Sequence, residues 1–564
     1  MQPPFLGLCM IVRNEGDLLE KCLSSTASSV DEIVIIDTGS TDSTKSIASR
    51  YTQHVYDFDW NDDFAAARNA AIERSTSTWI LMLDADEYLD VPDLAELRKF
   101  LSTIPVSDPS GLVLPVYNFV GTTGSGKISE SKAMRVFTRH PDLRFDRPIH
   151  EQLVSRSGRL KELEYPLIIY HTGYTTETIA YKRKNERNQA ILNAMRQEGR
   201  FTPYDSFLMG NECYSQDRYE EAILHYREAN QASERNKSWL PLCIGNLVNC
   251  LMKIEQFTDA YVHIIEAKRA WPEACDFYWL EGYLLAQTGF DEQAIGVLQE
   301  CLRRANRKSG GQNWLISPNY GSTLPLQQLA VLHLRRFAFQ EAVGNLTQLA
   351  FAVPNHLAVL VQLLKLIRTE EPERIASLLN SIYPDPGPEQ KEMIGQACDQ
   401  AGLASLAGQF GYSGNGANRD TAESDLTSIA ETCMRLFRSG EYDRFDEIVQ
   451  KQGERTLELA QLLGDAMFED RQFEIALDYY SLLLQKNSLS GKGYENLARL
   501  YLAQGDVEEG LEFAEQALVQ LPDRIELYTL LIQYLDRTSP KRDEILSLLF
   551  ARFPGMLRFP LLPQ

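Results

Sequence analysis

The sequence has no run of about eighteen consecutive apolar residues, so no helix is expected to cross a membrane. It has no CxxC pair either. Its nine cysteines, Cys9, Cys22, Cys213, Cys243, Cys250, Cys275, Cys301, Cys398 and Cys433, are odd in number and scattered through apolar stretches, which argues against a disulfide framework and for buried thiols. Positive charge is in deficit. Against 78 Asp and Glu stand 56 Lys and Arg, a formal charge of −22 whose field repels phosphate backbones and anionic membrane surfaces. Neither nucleic acid nor stable membrane insertion is therefore expected. No charged segment followed by an apolar one opens the chain: MQPPFLGLCMIVRNE reaches Arg13 before an apolar leader can complete, and the expected location is the cytoplasm.

What the sequence does have is length and regular patterning. At 564 residues, with 44% hydrophobic and 10% aromatic residues, it exceeds what one core usually supports and should form two or more domains. From residue 5 to about 172, short apolar runs alternate with amphipathic stretches, the pattern of a mainly parallel sheet covered by helices. Strands are expected at Phe5–Val12, Glu32–Ile36, Val55–Phe58 and Trp79–Leu83, with helices ending near Ser25 and spanning Ser43–Tyr51 and Phe64–Ser75. Asn14 and Glu15 follow the first strand, Asp37 the second, and Asp84, Asp86 and Glu87 the last. Ligands of open α/β sheets bind beyond the carboxyl ends of the strands, so acids arriving there from separate strands point to one site.

From about Tyr204 the pattern becomes helix after helix. Four segments share one design: YDSFLMGNECYSQDRYEEAILHYREA, DFYWLEGYLLAQTGFDEQAIGVLQECL, LELAQLLGDAMFEDRQFEIALDYYSLLL and GYENLARLYLAQGDVEEGLEFAEQAL. Each carries a small residue (Gly210, Gly282, Gly464, Ala498) inside its first helix, then a polar turn and a second helix. Ala260 and Ala294, and likewise Ala476 and Gly510, stand one tetratricopeptide period of 34 residues apart. Such pairs bury their apolar faces against neighbouring pairs, giving a solenoid whose concave surface usually binds polypeptide. A stretch rich in Gly, Ser, Asn and Ala between Ala401 and Asp425 predicts a flexible break. The expected layout is a catalytic domain over residues 1–180, a helical linker and first repeat block over 181–400, a linker over 401–424 and a second repeat block over 425–564.

The segments DEIVIIDTGSTDST and WILMLDADEYLD resemble the family 2 glycosyltransferase pattern on a GT-A fold: an Asp-Gly-Ser turn after one strand, then an Asp-x-Asp motif after another. The expected fold class is thus an α/β GT-A, Rossmann-like, catalytic domain followed by an all-α tetratricopeptide-repeat solenoid. Asp84 and Asp86 would share Mg²⁺ or Mn²⁺ with the diphosphate of a nucleotide sugar, since hard cations are bridged well by carboxylates and phosphates; a rival reading makes them capping and surface acids. The resemblance implies that Asp37 reads the nucleobase, with a carboxylate suited to the ring N–H of uracil, and that Gly39 and Ser40 turn beside it. Where the family commonly has a second Asp, this chain has Thr38.

Asn14 and Glu15 resemble the family's Arg-Asn-Glu opening and would line the nucleoside pocket, while Arg68 and Asn69 match a further family feature, the arginine neutralising diphosphate or bracing the two aspartates. In FDRPIHEQL, Glu151 is the candidate base of a single-displacement, inverting transfer, which needs a group to remove the acceptor proton. Asp86 is counted with it as catalytic. His171, at the end of YPLIIYH, is the candidate third metal ligand, with His150 as the alternative. Lys182 and Arg187, in YKRKNERNQAIL, would close over the diphosphate; the competing reading is a solvated helix face. Domain order resembles bacterial flagellin and bacteriocin glycosyltransferases, which implies a UDP-sugar donor, a protein or peptide acceptor held on the repeats, and hexosyl or N-acetylhexosaminyl transfer to Ser, Thr or Cys. A homodimer is compatible with this reading. Two rival readings are a lipid-linked or polysaccharide acceptor and a non-catalytic repeat scaffold.

Overall fold

Alternation within LGLCMIV sets the centre of the N-terminal unit. In the computed structural model these residues form strand β1 (Leu6–Val12), which is buried on both faces. Leu6, Leu8, Met10 and Val12 join one apolar cluster with Leu19, Leu23, Ile47 and Leu94, whereas Cys9 joins a second with Val34, Ile36, Ala65 and Ala71. Successive side chains of a strand point to opposite faces, so a near-continuous apolar run requires a cover on each. Each such fully buried aliphatic side chain contributes about 1.5–3 kcal/mol.

The structure describes residues 3–119, 128–172, 178–307, 313–412, 426–439, 441–452 and 456–562. It divides into two units, Met1–Asp205 and Ser206–Gln564. In the first unit, helices α1 (Leu19–Thr26), α2 (Thr44–Tyr51), α3 (Phe64–Arg74), α4 (Val91–Leu101) and α5 (Thr178–Gln197) accompany strands β2 (Glu32–Asp37), β3 (Val55–Asp57), β4 (Trp79–Met82), β5 (Glu87–Tyr88), β6 (Ser110–Phe119), β7 (Ile128–Thr138), β8 (Leu143–Asp146), β9 (Gln152–Ser155), β10 (Lys161–Glu164) and β11 (Ile169–His171). The main sheet runs β3-β2-β1-β4-β7-β6-β11-β5, with β10 paired to β6, while β8 and β9 form a separate hairpin. Strand β1 is parallel to both β2 and β4, in register Val12↔Asp37 and Cys9↔Met82. The chain fills the sheet outward from β1 to β3, then crosses back to β4, so β1 and β4 flank the crevice at the topological switch point.

From Pro203 onward the described residues contain twenty α-helices. The small residues inside first helices are there for approach distance: a Cβ on Gly210 would lie 2.5 Å from the Tyr226 ring, and one on Gly282 would lie 2.6 Å from Leu298. Polar groups in these seams are satisfied in parallel ways, as Tyr226 donates to Asn211 at 2.8 Å and Tyr480 to Asp465 at 2.7 Å. Within this unit the later helices pack on the earlier ones. Arg368 reaches Asp470, and Phe337 meets Phe468 and Phe473. The last residues return to the beginning: fully buried Phe559 stacks on Phe290 and touches Tyr261, and Thr258 donates to the Leu557 carbonyl.

Of the expected linker, Ala404–Gln409 is a helix and residues 413–425 lie outside the described residues. All nine cysteines are buried, and none is joined to another by a disulfide among the described residues. No helix among the described residues is long and apolar enough to cross a membrane.

Candidate active site

The first site element is the turn after β2. Asp37 is fully buried, and its Oδ1 accepts the backbone N–H groups of Gly39 (2.9 Å) and Ser40 (2.8 Å). Gly39 adopts φ 101°, open to a residue without Cβ. The other oxygen of Asp37 has no hydrogen-bond partner among the described residues. Lys45, on α2, brings its Nζ to 3.7 Å from Asp37 and 2.5 Å from Asp57. Thr38 is buried and donates its hydroxyl to the Val12 carbonyl at 3.2 Å, so this side chain is spent on the neighbouring strand.

Asn14 ties the ends of β1 and β2 together. At φ 54°, it accepts the Thr41 N–H on its side-chain oxygen at 2.8 Å and donates its own N–H to Ser40 at 3.0 Å; the Glu15 N–H donates to Thr44 at 2.8 Å. Helix α1 starts only at Leu19 with no side-chain cap from its N-cap Leu18, and the Glu15 carbonyl accepts the Leu18 and Leu19 N–H groups that lead into it.

The second element is a chain of alternating charges at the end of β4. Arg68, buried on α3, donates to Asp84 at 2.8 Å and to Glu151 at 2.5 Å. Arg135, on β7, donates to the other Asp84 oxygen at 3.0 Å and to Glu87 at 2.6 Å. Burial opposes the charge on Asp84, but the two guanidiniums outweigh it and hold its carboxyl well below the usual range. Burial pushes the Glu87 carboxyl up, an effect that Asp84 reinforces and Arg135 opposes.

Asp86 turns elsewhere. Its carboxylate lies 3.1 Å from Nε2 of His171, whose Nδ1 lies 2.8 Å from the Asn118 side-chain oxygen. Burial disfavours a charged His171, but the hydrogen bond to Asp86 and that residue's charge prevail, raising its pKa above that of a free imidazole. Strand β11 brings His171 there by pairing with β5 in register His171↔Glu87.

Among the described residues, no three His, Cys, Asp or Glu side chains are gathered as a ready cation cage. The Asp86–His171 pair nevertheless fits a cation shared with a substrate, since Mg²⁺ commonly takes one or two protein carboxylates and completes its shell with phosphate and water. Asp84 is directed to two arginines instead.

The remaining candidates fall into two groups. Asn69 exchanges two hydrogen bonds with the Phe145 main chain, at 2.9 and 2.8 Å, and so anchors the segment leading to His150 and Glu151. Arg187 stacks over Phe64 at the start of α3, 4.8 Å from the ring. Lys182 lies on α5, but its side chain is outside the described residues. Three neighbours carry little signal in the sequence: Arg135 and Lys45 sit in no motif, and Glu87 is legible only as an acid following the strand. An arginine inside the apolar run AMRVF is the available signal for Arg135.

Residues 8–152 match the model of Glycosyl transferase family 2. A TPR repeat-containing protein of Synechococcus elongatus is 38% identical over 195 residues, 33% of this chain and 47% of that protein, so the chain spans about half the length of this relative. The SPbeta prophage-derived glycosyltransferase SunS of Bacillus subtilis is 25% identical over 289 residues, 50% of this chain and 67% of that protein. Among solved structures, S. aureus TarS in complex with UDP-GlcNAc aligns at 15% identity and a TM-score of 0.26, covering 44% of this chain and 81% of that one. The family match spans Asp37, Asp84, Asp86 and Glu151: the N-terminal unit holds a family 2 glycosyltransferase domain, and the chain continues from it into a tetratricopeptide-like helical region.

Proposed function

We propose that the chain is an inverting glycosyltransferase that moves a hexosyl or N-acetylhexosaminyl group from a UDP-sugar to a Ser, Thr or Cys side chain of a protein or peptide. The observation that carries this reading is the meeting of Asp84 and Glu151 on Arg68, beside the Asp86–His171 pair and at the edge where Asp37 keeps one buried oxygen without a partner. That oxygen suits the single ring N–H of uracil. Asn14, Glu15, Gly39 and Ser40 form the turns around it.

Mg²⁺ or Mn²⁺, held by Asp86 and His171, would supply charge neutralisation to the donor diphosphate. Glu151 takes the proton from the acceptor O–H or S–H as that atom bonds to the anomeric carbon. The bond from that carbon to the diphosphate oxygen breaks, and UDP leaves with the electron pair. Arg68 keeps Glu151 and Asp84 in one arrangement, while Arg187 and Lys182 stand on the helix that follows the domain, where cationic groups favour a departing anion. The helical region would present the acceptor, a flagellin-like or secreted peptide substrate being the architecture's suggestion.

In this reading residues 1–180 are the catalytic domain, 181–400 a helical linker with the first repeat block, 401–424 a linker and 425–564 a second block; limited proteolysis should cut first within 401–424. Intact mass spectrometry of candidate polypeptides incubated with a panel of UDP-sugars tests the activity. Sugar addition that disappears in Glu151→Gln supports it. UDP-sugar turnover confined to lipid-linked or polysaccharide acceptors, or absent altogether, would replace it with one of the rivals. Size-exclusion chromatography with light scattering tests for a homodimer.

A further inference from the structure

The loop from Phe145 to Glu151 carries the proposed base, yet its local sequence does not favour its shape. Arg147 precedes a proline, a position that prefers extended backbone at negative φ, but it sits at φ 81°, and His150 sits at φ 50°. The loop must be held from outside. On one side α3 does so: besides the Asn69–Phe145 pair, the Phe64 N–H donates to the Pro148 carbonyl at 2.8 Å, and Arg68 takes Glu151.

On the other side the Arg147 guanidinium pairs with Asp205 and lies 5.0 Å from the Tyr204 ring centre. Asp205 is fully buried. Its second oxygen accepts the Thr202 N–H at 2.8 Å and the Thr202 hydroxyl at 2.5 Å, so the same carboxylate closes the first turn of the helix Pro203–Tyr214. The α3 contacts grip the flanks of the loop, whereas the Arg147–Asp205 pair acts on the residue whose backbone is unfavourable. A partly buried guanidinium deprived of its fully buried anion would lose the contact that holds it in place.

We infer that Arg147 and Asp205 form a latch, anchored on the buried carboxylate, that positions Glu151 for removal of the acceptor proton; this rests on the assignment of Glu151 made above. Neither residue touches the reacting atoms. Both are positioning residues, and they act as one unit.

The test uses the full-length chain and UDP release from UDP-glucose or UDP-N-acetylglucosamine, whichever the wild type turns over with water as acceptor. Asp205→Asn and Arg147→Met should each slow release at saturating donor by about tenfold or more, since small misplacements of a catalytic group are costly, while UDP affinity by calorimetry stays within about twofold. The double variant should be no slower than the slower single, and Asp205→Glu, which keeps the charge, should recover part of the rate. Amide hydrogen exchange at Ile149–Gln152 should quicken in both singles. Unchanged release in both singles, or UDP affinity falling in step with rate, overturns the latch. If Glu151→Gln turns over like the wild type while exchange still quickens in Arg147→Met, the base assignment fails and the pair is left holding a loop with another purpose.

Discussion

The two units handle buried charge differently. In the sheet unit, Arg68, Asp84, Glu87, Arg135 and Glu151 form one continuous network at one edge of the sheet, drawn from α3, β5, β7 and two loops. In the helical unit, buried acids are dispersed: Asp470 takes Arg368 and Arg438, Glu281 takes Lys268, Glu495 takes Arg499 and Arg524, and Asp291 takes Arg335. Apart from Glu495–Arg499, which lies within one helix, these dispersed pairs fasten one segment of the unit to another. A concentrated network beside an unpartnered carboxylate oxygen is the arrangement expected of a site that binds and reacts.

Breaking the fastening should therefore cost stability and spare binding, and breaking the network should do the reverse. The largest effect is expected from Phe559→Ala, which empties a fully buried site where three parts of the helical unit meet: a loss of about 3–5 kcal/mol, read by denaturant unfolding, with UDP affinity unchanged. Next comes Asp86→Ala, which should slow UDP release by about 10²–10³-fold at an unchanged melting temperature, the scale for removing one preorganised electrostatic contact. Chelation by EDTA should act alike on the wild type and add nothing to the variant.

Asp470→Asn should cost about 1–3 kcal/mol at neutral pH, because two arginines lose the charge they share. This loss has a defined pH dependence. Burial opposes the Asp470 charge, but Arg368 and Arg438 outweigh it and hold the carboxyl below its ordinary value. A group depressed in the folded state adds stability above its unfolded pKa of about 3.9 and forfeits it as pH falls through the folded value, so the stability curves of wild type and variant should converge in acid. Parallel curves would show that the pair adds no pH-dependent stability. The smallest effect belongs to Arg374→Ala, whose exposed partner Glu370 lies in the turn just before the helix Pro372–Ile382; no more than about 0.5 kcal/mol is expected.

Much of the sheet unit was legible because its signals are local. The strand expected over Phe5–Val12 forms from Leu6, Glu32–Asp37 gains one residue at its end, and Trp79–Met82 ends one residue early. The helix expected directly after β1 starts later, at Leu19, since Asn14 turns left-handed and bonds to Thr41 rather than to a helix end. The site was legible where acids follow strands. It was not legible where a partner arrives from far along the chain: Arg135 reaches Asp84 across the antiparallel β4–β7 pairing, a register no periodicity encodes. Helix pairs in the second unit were visible through Gly210 and Gly282, whereas the return of Phe559 to Tyr261 depends on the summed rotation of many repeats.

That return changes how the helical unit should come apart. A linear array loosens from its outermost turn, where only one neighbour holds it. Here Met556 and Phe559 are clasped by residues near the opposite terminus of the same unit, and a Cβ at Gly555 would collide with the Glu255 carbonyl, so the clasp tolerates little bulk. Force applied to the chain beyond Phe559 would meet this clasp before the helices ahead of it, and its first force peak would report on contacts that sequence separates by about three hundred positions.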